Sequence, residues 1–279
     1  MPTLALADDI TLNYETWGDP EAPPVILLHG FTADLRMWAP HVEPLSADYF
    51  VVAPDLRGHG LSSAPEDLDA YSIEIYAGDV RALLDHLGGD VCAVVGCSFG
   101  GMVALQFATT WPERLAGLVV SDAGAAYDNE RYAEPYRERE RRMLETEDVV
   151  RRQGMAGLAK RAVAGVNDTF MAEGIKRRYL AMKADGYLGG SKTRRERPDL
   201  LPVVGERLTM PVLICIGEDD PVRSAADVMA EKLPGARYLT FKGSGHGVPG
   251  FRPEAFTEAV LAFFTDIEEG RAIASRLTV

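Results

Sequence analysis

One stretch of the chain decides the fold: Val91-Cys92-Ala93-Val94-Val95-Gly96-Cys97-Ser98-Phe99-Gly100-Gly101. Its apolar first half predicts a buried β-strand that runs through Ser98 directly into a helix. A serine on so tight a turn has strained backbone angles, and side chains at Gly96 or Gly100 would collide with the neighbouring strand or helix. The stretch therefore predicts that Ser98 stands clear of the sheet edge, at a helix N-terminus that favours negative charge.

The rest of the chain alternates short β-rich apolar runs with longer amphipathic ones. This pattern predicts an α/β fold with a mostly parallel central sheet flanked by helices. The predicted strands are residues 25–28, 49–53, 91–96, 115–121, 212–216 and 238–241. The predicted helices are residues 38–45, 73–87, 100–111, 224–233 and 253–264. The loops after parallel strands gather along one edge of the sheet, where ligands bind.

Charge singles out one segment of the 279-residue chain. Residues 125–200 contain 17 Lys and Arg against 13 Asp and Glu, whereas the whole chain has a net charge of -13. The segment also lacks a comparable buried strand, and its arginine-rich stretches resemble helices. We therefore predict a helical cap, or lid, over residues 125–200 and an α/β core over residues 1–124 and 201–279. Within this cap, the polar residues 191–198 are predicted to be an exposed loop.

Bulk properties also exclude several classes of protein. The acidic net charge argues against a nucleic-acid partner. No signal peptide and no stretch long enough to span a bilayer is evident, which predicts a cytoplasmic protein with no membrane partner. The three cysteines, Cys92, Cys97 and Cys215, lack metal-site spacing and are predicted to be buried free thiols. We expect no metal and no cofactor, and the oligomeric state stays open.

A nucleophilic serine needs a base, and His246 is the best candidate among the five histidines. It lies in a glycine-rich loop, residues 243–247, after the last predicted strand, where flanking glycines leave an imidazole exposed and free to orient. His41 and His86 belong to predicted helices, and His59 is assigned a structural role in its loop. His246 is therefore the predicted general base.

The base needs a carboxylate that fixes its tautomer and stabilises the imidazolium. Glu218, Asp219 and Asp220 follow a predicted buried strand. Asp220 lies just before Pro221, where a turn can direct it back across the sheet edge, and it is the predicted orienting acid. Asp122, which follows the preceding strand, remains the alternative.

The order Ser98, Asp220, His246 around a strand–turn–helix serine motif resembles the α/β-hydrolase superfamily. Further motifs similar to those of the family are the turn of residues 28–31 and the loop of residues 55–62. The resemblance implies an oxyanion hole formed by the backbone NH groups of Phe31 and Phe99. His29, in the same turn, is predicted to hold the loop through hydrogen bonds in preference to a catalytic role. Some members place the acid after the preceding strand, so Asp122 stays open.

These residues predict a serine hydrolase that cleaves a carboxylic ester of a small molecule through an acyl-enzyme intermediate. Alternatives are a lactonase or a carbon–carbon bond hydrolase, then a thioesterase or a cofactor-free haloperoxidase or perhydrolase, and finally a non-catalytic ligand-binding protein. Epoxide hydrolases resemble the chain but use an aspartate at the position of Ser98. Gly30, Trp38 and Cys97 are the predicted pocket residues. The arginine-rich cap either attracts an acidic substrate or acyl-carrier partner or is simply a solvated surface.

Overall fold

The computed structural model describes residues 2–6 and 9–279, and in these ranges nine strands form one sheet. They are β1 Thr3–Ala5, β2 Thr11–Trp17, β3 Pro24–Leu28, β4 Phe50–Pro54, β5 Cys92–Cys97, β6 Leu115–Ser121, β7 Val212–Gly217, β8 Arg237–Phe241 and β9 Ser275–Thr278. Their spatial order is β1-β2-β4-β3-β5-β6-β7-β8-β9. β2 pairs antiparallel with β1 and with β4, and the pairs from β4 across to β9 are parallel. The predicted fold class is confirmed.

Helices cover both faces of this sheet and one of its edges. They are α1 Ala39–Leu45, α2 Ile73–His86, α3 Phe99–Thr110, α4 Tyr136–Ala162, α5 Thr169–Ala181, α6 Ala184–Glu196, α7 Leu201–Arg207, α8 Arg223–Glu231, α9 Val248–Phe251 and α10 Pro253–Glu268. Short 3₁₀ turns occur at Leu35–Trp38, Leu68–Ala70 and Pro112–Arg114. Among the described residues, no helix combines the length and the apolar character needed to cross a membrane.

Alternate residues of the central strands pack into two different cores, as the two-residue repeat of a strand requires. Ile26 and Val94 face the core beneath α2 and α3, whereas Leu27 and Val95 face the core beneath α1 and α10. All four side chains are fully buried. Full burial of such an aliphatic side chain contributes about 1.5–3 kcal/mol. Burial on both faces explains why these strands could be recognised as continuous apolar runs.

The strand register aligns the carboxyl ends of the central strands. In the paired strands, Leu28 lies opposite Gly96, Cys97 opposite Ser121, and Ser121 opposite Cys215. The loops that follow β3, β5, β6, β7 and β8 therefore start side by side on one edge of the sheet. These loops contain every residue that the sequence predicted for catalysis.

The loop after β4 is held by a buried carboxylate, Asp55. This side chain accepts hydrogen bonds from the backbone NH groups of Leu35 and Leu61, both at 2.8 Å, and from the amide of Asn13 at 2.9 Å. The bond to Asn13 ties the loop to β2. Because β2 buries this polar residue, its sequence lacks a simple apolar alternation, and the strand was not predicted.

Three helices, α4 to α6, make up most of the segment predicted to be a cap. Gly154 interrupts α4 with a φ of 64° and a ψ of -171°, so this helix is two helices joined at a kink. The segment has a small core of its own, formed by Val150, Met155, Leu158, Met182, Tyr187 and Leu188. Its two ends meet, since the NH of Leu200 donates to the carbonyl of Ala125 at 2.9 Å. The domain boundaries themselves stay a prediction.

One expectation about this segment is wrong. Residues 191–198 were predicted to be an exposed loop, but α6 continues to Glu196 and its Ser191 is fully buried. The Ser191 hydroxyl donates to the buried carboxylate of Glu147 at 2.8 Å, and Arg195 pairs with the same carboxylate at 3.0 Å. The polar residues of α6 thus pack into the segment around a buried acid, and their polarity does not indicate exposure.

Candidate active site

Ser98 stands on a strained turn between β5 and α3. Its φ of 53° and ψ of -110° are unusual for a residue with a side chain. A Cβ atom on Gly100 would lie 2.1 Å from the carbonyl oxygen of Leu28, and one on Gly96 would lie 2.4 Å from the carbonyl oxygen of Gly100. The predicted role of the two glycines is therefore confirmed, because the turn closes only where side chains are absent.

His246 lies within hydrogen-bond distance of this serine. The distance between its Nε2 atom and Ser98 Oγ is 2.9 Å, and its Nδ1 atom lies 3.0 Å from each carboxylate oxygen of Asp220. An ionised carboxylate can only accept, so Nδ1 carries the proton and Nε2 is free to accept from the serine hydroxyl. The three predicted residues form one continuous hydrogen-bonded chain.

The loops that hold His246 and Asp220 approach each other closely. A Cβ atom on Gly217 would lie 2.3 Å from the carbonyl oxygen of Gly245, and the NH of Asp219 donates to the carbonyl of Ser244 at 2.9 Å. Asp220 also accepts from the NH of Val222 at 2.8 Å and is buried. Glu218 and Asp219 are exposed.

The electrostatics of the pair prepare His246 to accept a proton. Burial by itself lowers the pKa of His246, but its hydrogen bond and its attraction to Asp220 outweigh burial and raise the pKa above the ordinary value. Burial raises the pKa of Asp220, yet its hydrogen bond and attraction to His246 hold the net pKa below the ordinary value. The pair therefore favours an ionised acid beside a histidine of increased basicity.

Asp122, the alternative acid, makes no hydrogen bond to His246 among the described residues. Its Oδ2 atom accepts from the hydroxyl of Ser121 at 2.5 Å and from the NH of Val248 at 2.9 Å. Burial, together with the nearby carboxylate of Asp220, raises the pKa of Asp122 to about 7. The geometry thus gives Asp122 a role in holding the loop after His246 and supports Asp220 as the acid.

The proposed oxyanion hole lies beside Ser98. Phe99 follows the serine directly and is the first residue of α3, where backbone NH groups have no partner within the helix. On the other side, a Cβ atom on Gly30 would lie 3.6 Å from the Cβ of Ser98, so the turn with Phe31 is adjacent. Among the described residues, neither the NH of Phe31 nor that of Phe99 donates to a protein acceptor.

His29 fixes the turn that precedes Phe31. Its Nδ1 atom donates to the carbonyl of Gly30 at 2.9 Å, and its Nε2 atom accepts from the NH of Leu56 at 3.0 Å. Burial lowers the pKa of His29 to about 4, so the ring stays neutral. The predicted structural role of His29 is confirmed.

A cavity of about 430 Å³ opens above Ser98 and His246. Eleven residues from the segment 125–200 line it, and none of them was predicted as a pocket residue; they are Ala126, Tyr127, Tyr132, Glu134, Arg139, Arg142, Met143, Thr146, Tyr187, Arg194 and Arg197. The positions of these side chains depend on packing between segments that are distant in the sequence. Local motifs therefore do not predict which of them line the cavity.

None of the three predicted pocket residues, Gly30, Trp38 and Cys97, lines this cavity. Trp38 is fully buried against His41 and Phe256 in the core beneath α1 and α10. Cys97 is buried in the same core, and its Sγ atom lies 3.8 Å from Asp122. Both predictions are wrong because these side chains pack in that core and not in the cavity wall. Gly30 lies beside Ser98 but does not line the cavity either.

The cysteines behave as the sequence predicted. Cys92, Cys97 and Cys215 are free and buried. Burial raises the pKa of the Cys97 thiol well above the ordinary value, and the nearby Asp122 adds to this effect. A thiol in this setting is a poor nucleophile.

One group of side chains has donor atoms close enough for a metal ion. Atoms of Asp122, Asp220 and His246 lie within 4.8 Å of one another. However, both ring nitrogens of His246 are already engaged, by Asp220 and by Ser98. A metal ion bound to His246 would therefore break the chain of hydrogen bonds that leads to the serine.

A mostly parallel sheet with its candidate nucleophile on the turn between a central strand and a helix places the protein among the α/β hydrolases. The family model described as alpha/beta hydrolase fold matches residues 23–253. The chain belongs to this family, as the resemblance predicted, and is a hydrolase.

Relatives within the family catalyse several reactions. The chain is 29% identical to 3-oxoadipate enol-lactonase 2 of Acinetobacter baylyi, over 92% of this chain and 94% of the relative. It is 28% identical to epoxide hydrolase A of Mycobacterium tuberculosis, over 96% and 98% of the two chains. A solved thermophilic esterase from Thermogutta terrifontis superposes with a TM-score of 0.81 at 27% identity, covering 95% of this chain and 98% of the esterase.

Proposed function

We propose that the protein hydrolyses a carboxylic ester of a small molecule through an acyl-enzyme intermediate on Ser98. One observation supports this proposal above all others. Ser98 Oγ lies 2.9 Å from His246 Nε2, and His246 Nδ1 lies 3.0 Å from both oxygens of the buried Asp220. Such a chain connects a nucleophile, a base and an orienting acid in the geometry that acyl transfer requires.

In the proposed acylation step, His246 takes the proton of the serine hydroxyl as the oxygen attacks the ester carbonyl. The carbonyl oxygen becomes negatively charged and is stabilised by the NH groups of Phe31 and Phe99. The imidazolium of His246, stabilised by Asp220, then donates its proton to the departing alcohol. The products of this step are the free alcohol and an ester between the acyl group and Ser98.

In deacylation, His246 takes a proton from water, and the resulting hydroxide attacks the acyl carbonyl. A second tetrahedral intermediate forms in the same oxyanion hole, and its collapse breaks the bond to Ser98. The proton returns from His246 to the serine oxygen, and the carboxylic acid leaves. The enzyme is then restored to its starting state.

A lactonase is the second candidate, because a lactone is a cyclic ester and needs the same steps. The relative from Acinetobacter baylyi is named as an enol-lactonase, which favours this alternative. The relatives named as epoxide hydrolases suggest a third chemistry. Opening of an epoxide by the aspartate nucleophile of that group is disfavoured here, since this chain has Ser98 at the equivalent position.

The proposal is tested by labelling and by a substrate panel. A fluorophosphonate probe should add its phosphonyl group to Ser98, as measured by the mass of the peptide containing residues 91–101. The purified protein should hydrolyse p-nitrophenyl esters or lactones faster than thioesters or vinylogous diketones. Absence of labelling in protein whose circular dichroism shows a folded state would refute the proposed function.

The rate of ester hydrolysis should depend on the protonation of His246. Only the neutral imidazole can accept the serine proton, so kcat/KM is expected to fall as pH decreases through the pKa of His246. That pKa lies above the ordinary value of 6.5 because Asp220 stabilises the imidazolium. A pH profile of kcat/KM with p-nitrophenyl acetate should show this decrease on its acid side. A midpoint below 6.5, or a flat profile between about pH 5 and 9, would contradict the assignment.

The predicted cytoplasmic location and the predicted lack of nucleic-acid and membrane partners rest on the sequence alone. A small-molecule substrate agrees with the cavity of about 430 Å³ above Ser98.

A further inference from the structure

Four arginines line the cavity above Ser98, although the protein as a whole has a net charge of -13. They are Arg139, Arg142, Arg194 and Arg197. Of these four arginines, only Arg142 has a carboxylate partner within residues 2–6 and 9–279. Its guanidinium lies 2.8 Å from Glu134. The other three place positive charge in the wall of the cavity with no negative side chain paired to it.

Arg194 is held by an aromatic ring. Its guanidinium lies 4.6 Å from the centre of the Phe31 ring, and it makes no hydrogen bond or ion pair with the part of the chain that the structure describes. Phe31 in turn packs against Phe99, which follows the nucleophile. The aromatic contact therefore fixes Arg194 near the reacting serine while its N–H groups stay available.

Arg139 and Arg197 are anchored from one side only. Arg139 donates to the carbonyl of Tyr127 and stacks over the Tyr127 ring at 4.4 Å, and Arg197 donates to the carbonyl of Ala126. The Nε atom of each is buried with no partner in the described chain. A guanidinium has five N–H donors, so most of their hydrogen-bonding capacity is unused. Buried donors without acceptors destabilise a fold unless a ligand satisfies them.

The positive charges of Arg194 and Arg197 are in an unfavourable environment. Burial lowers the pKa of Arg194, and it lowers the pKa of Arg197 to about 10. Arg194 and His246 line the same cavity, and the positive charge of Arg194 acts to lower the pKa of His246, although Asp220 keeps the net pKa raised. An anion in the cavity would stabilise the arginines and would lie close to the catalytic histidine.

We propose that Arg194 and Arg197 bind a carboxylate of the substrate, and that the substrate is an ester or lactone with a second, free carboxylate group. This inference rests on the proposed function, since it names the substrate class of the same site. A carboxylate suits the planar fork of a guanidinium, which can bind it through two parallel hydrogen bonds. Asp122 and Glu134 also line the cavity and would repel a dianionic phosphate more strongly than a carboxylate.

Paired substrates test the inference. The acyl side is probed with p-nitrophenyl hydrogen pimelate against p-nitrophenyl heptanoate, and the alcohol side with 4-acetoxybenzoate against phenyl acetate. In one of these pairs, the wild-type protein should prefer the carboxylate by at least about tenfold in kcat/KM. Substitution Arg194→Met or Arg197→Met should lower this ratio about 10- to 100-fold, and Arg194→Lys should retain part of it.

Arg152→Met is the matched control. Arg152 belongs to α4, its side chain is 74% exposed, and it pairs with Asp148 at 2.8 Å outside the cavity. This substitution should leave the ratio unchanged, because Arg152 does not line the cavity. A general effect of charge in the cap would instead lower the ratio equally in Arg152→Met and Arg194→Met. An equal decrease of this kcat/KM ratio in Arg152→Met and Arg194→Met would overturn the inference. So would a wild-type protein that prefers neither carboxylate substrate over its uncharged partner. Circular dichroism shows whether each variant is folded.

A binding measurement separates this inference from the proposed function. Isothermal titration with pimelate should show binding that dimethyl pimelate lacks and that Arg194→Met loses, whether or not esters are turned over. Failure of fluorophosphonate labelling rejects the hydrolase mechanism, whereas failure of pimelate to bind rejects the carboxylate site. Tighter binding of inorganic phosphate than of pimelate would also overturn the assignment to a carboxylate.

Discussion

Substitution Ser98→Ala is expected to lower kcat for ester hydrolysis by a factor of about 10⁵ to 10⁶. Alanine removes the oxygen that forms the acyl-enzyme but leaves the oxyanion hole and the cavity in place. The positive φ of this position is about as unfavourable for alanine as for serine, so the substitution adds little backbone strain. The turn should therefore keep its geometry. The measurement is steady-state hydrolysis of p-nitrophenyl butyrate, with fluorophosphonate labelling of the same preparation.

Cys97→Ala is the control for this variant. Cys97 is adjacent to Ser98 in the chain, but its thiol is buried and its pKa is raised. Hydrolysis and labelling should therefore persist when the thiol is removed. If Cys97→Ala abolished labelling while Ser98→Ala retained it, the nucleophile would have been assigned to the wrong residue.

Asp220→Asn is expected to lower kcat by about 10³- to 10⁴-fold. Asparagine has nearly the same size, but its amide cannot stabilise the imidazolium and can hold His246 in the wrong tautomer. The acid limb of the pH profile should also move to lower pH, since the carboxylate that raises the pKa of His246 is gone. Both changes are measured in one series of rates against pH.

Asp122→Asn distinguishes the two candidate acids. An asparagine oxygen can still accept from the NH of Val248, and the buried Asp122 already has a pKa of about 7. Loss of its charge should therefore reduce kcat by less than about tenfold. The reverse result, with the large loss in Asp122→Asn and the small one in Asp220→Asn, would transfer the role of the acid to Asp122.

The sequence predicted the central sheet well because its strands are buried on both faces. Six predicted strands, now β3 to β8, agree with the structure to within one residue at each end. The sequence missed β1, β2 and β9, which lie toward the two edges of the sheet. There one face is exposed or a polar residue such as Asn13 is buried, so the continuous apolar signal is lost.

The candidate catalytic residues were predictable because local constraints identify them. Glycines beside Ser98 and His246 indicate tight turns. The position of both residues directly after strands indicates that they lie at the same edge of the sheet. The cavity residues had no such signal: Arg194 depends on contacts with Phe31, 163 positions away in the chain. Trp38 was assigned to the pocket from residue type, which does not reveal whether an aromatic side chain packs in a core or lines a cavity.

The hydrogen bond between Leu200 and Ala125 has a consequence for how such enzymes diversify. A segment whose entrance and exit adjoin can be lengthened, shortened or exchanged for another without moving the strands on either side. Mutations within the segment between Ala125 and Leu200 would change which substrates bind in the cavity, while the residues that cleave the bond at Ser98 stay the same. We expect related enzymes to differ most between these two anchor points, and recombination there to yield new selectivity in a single step.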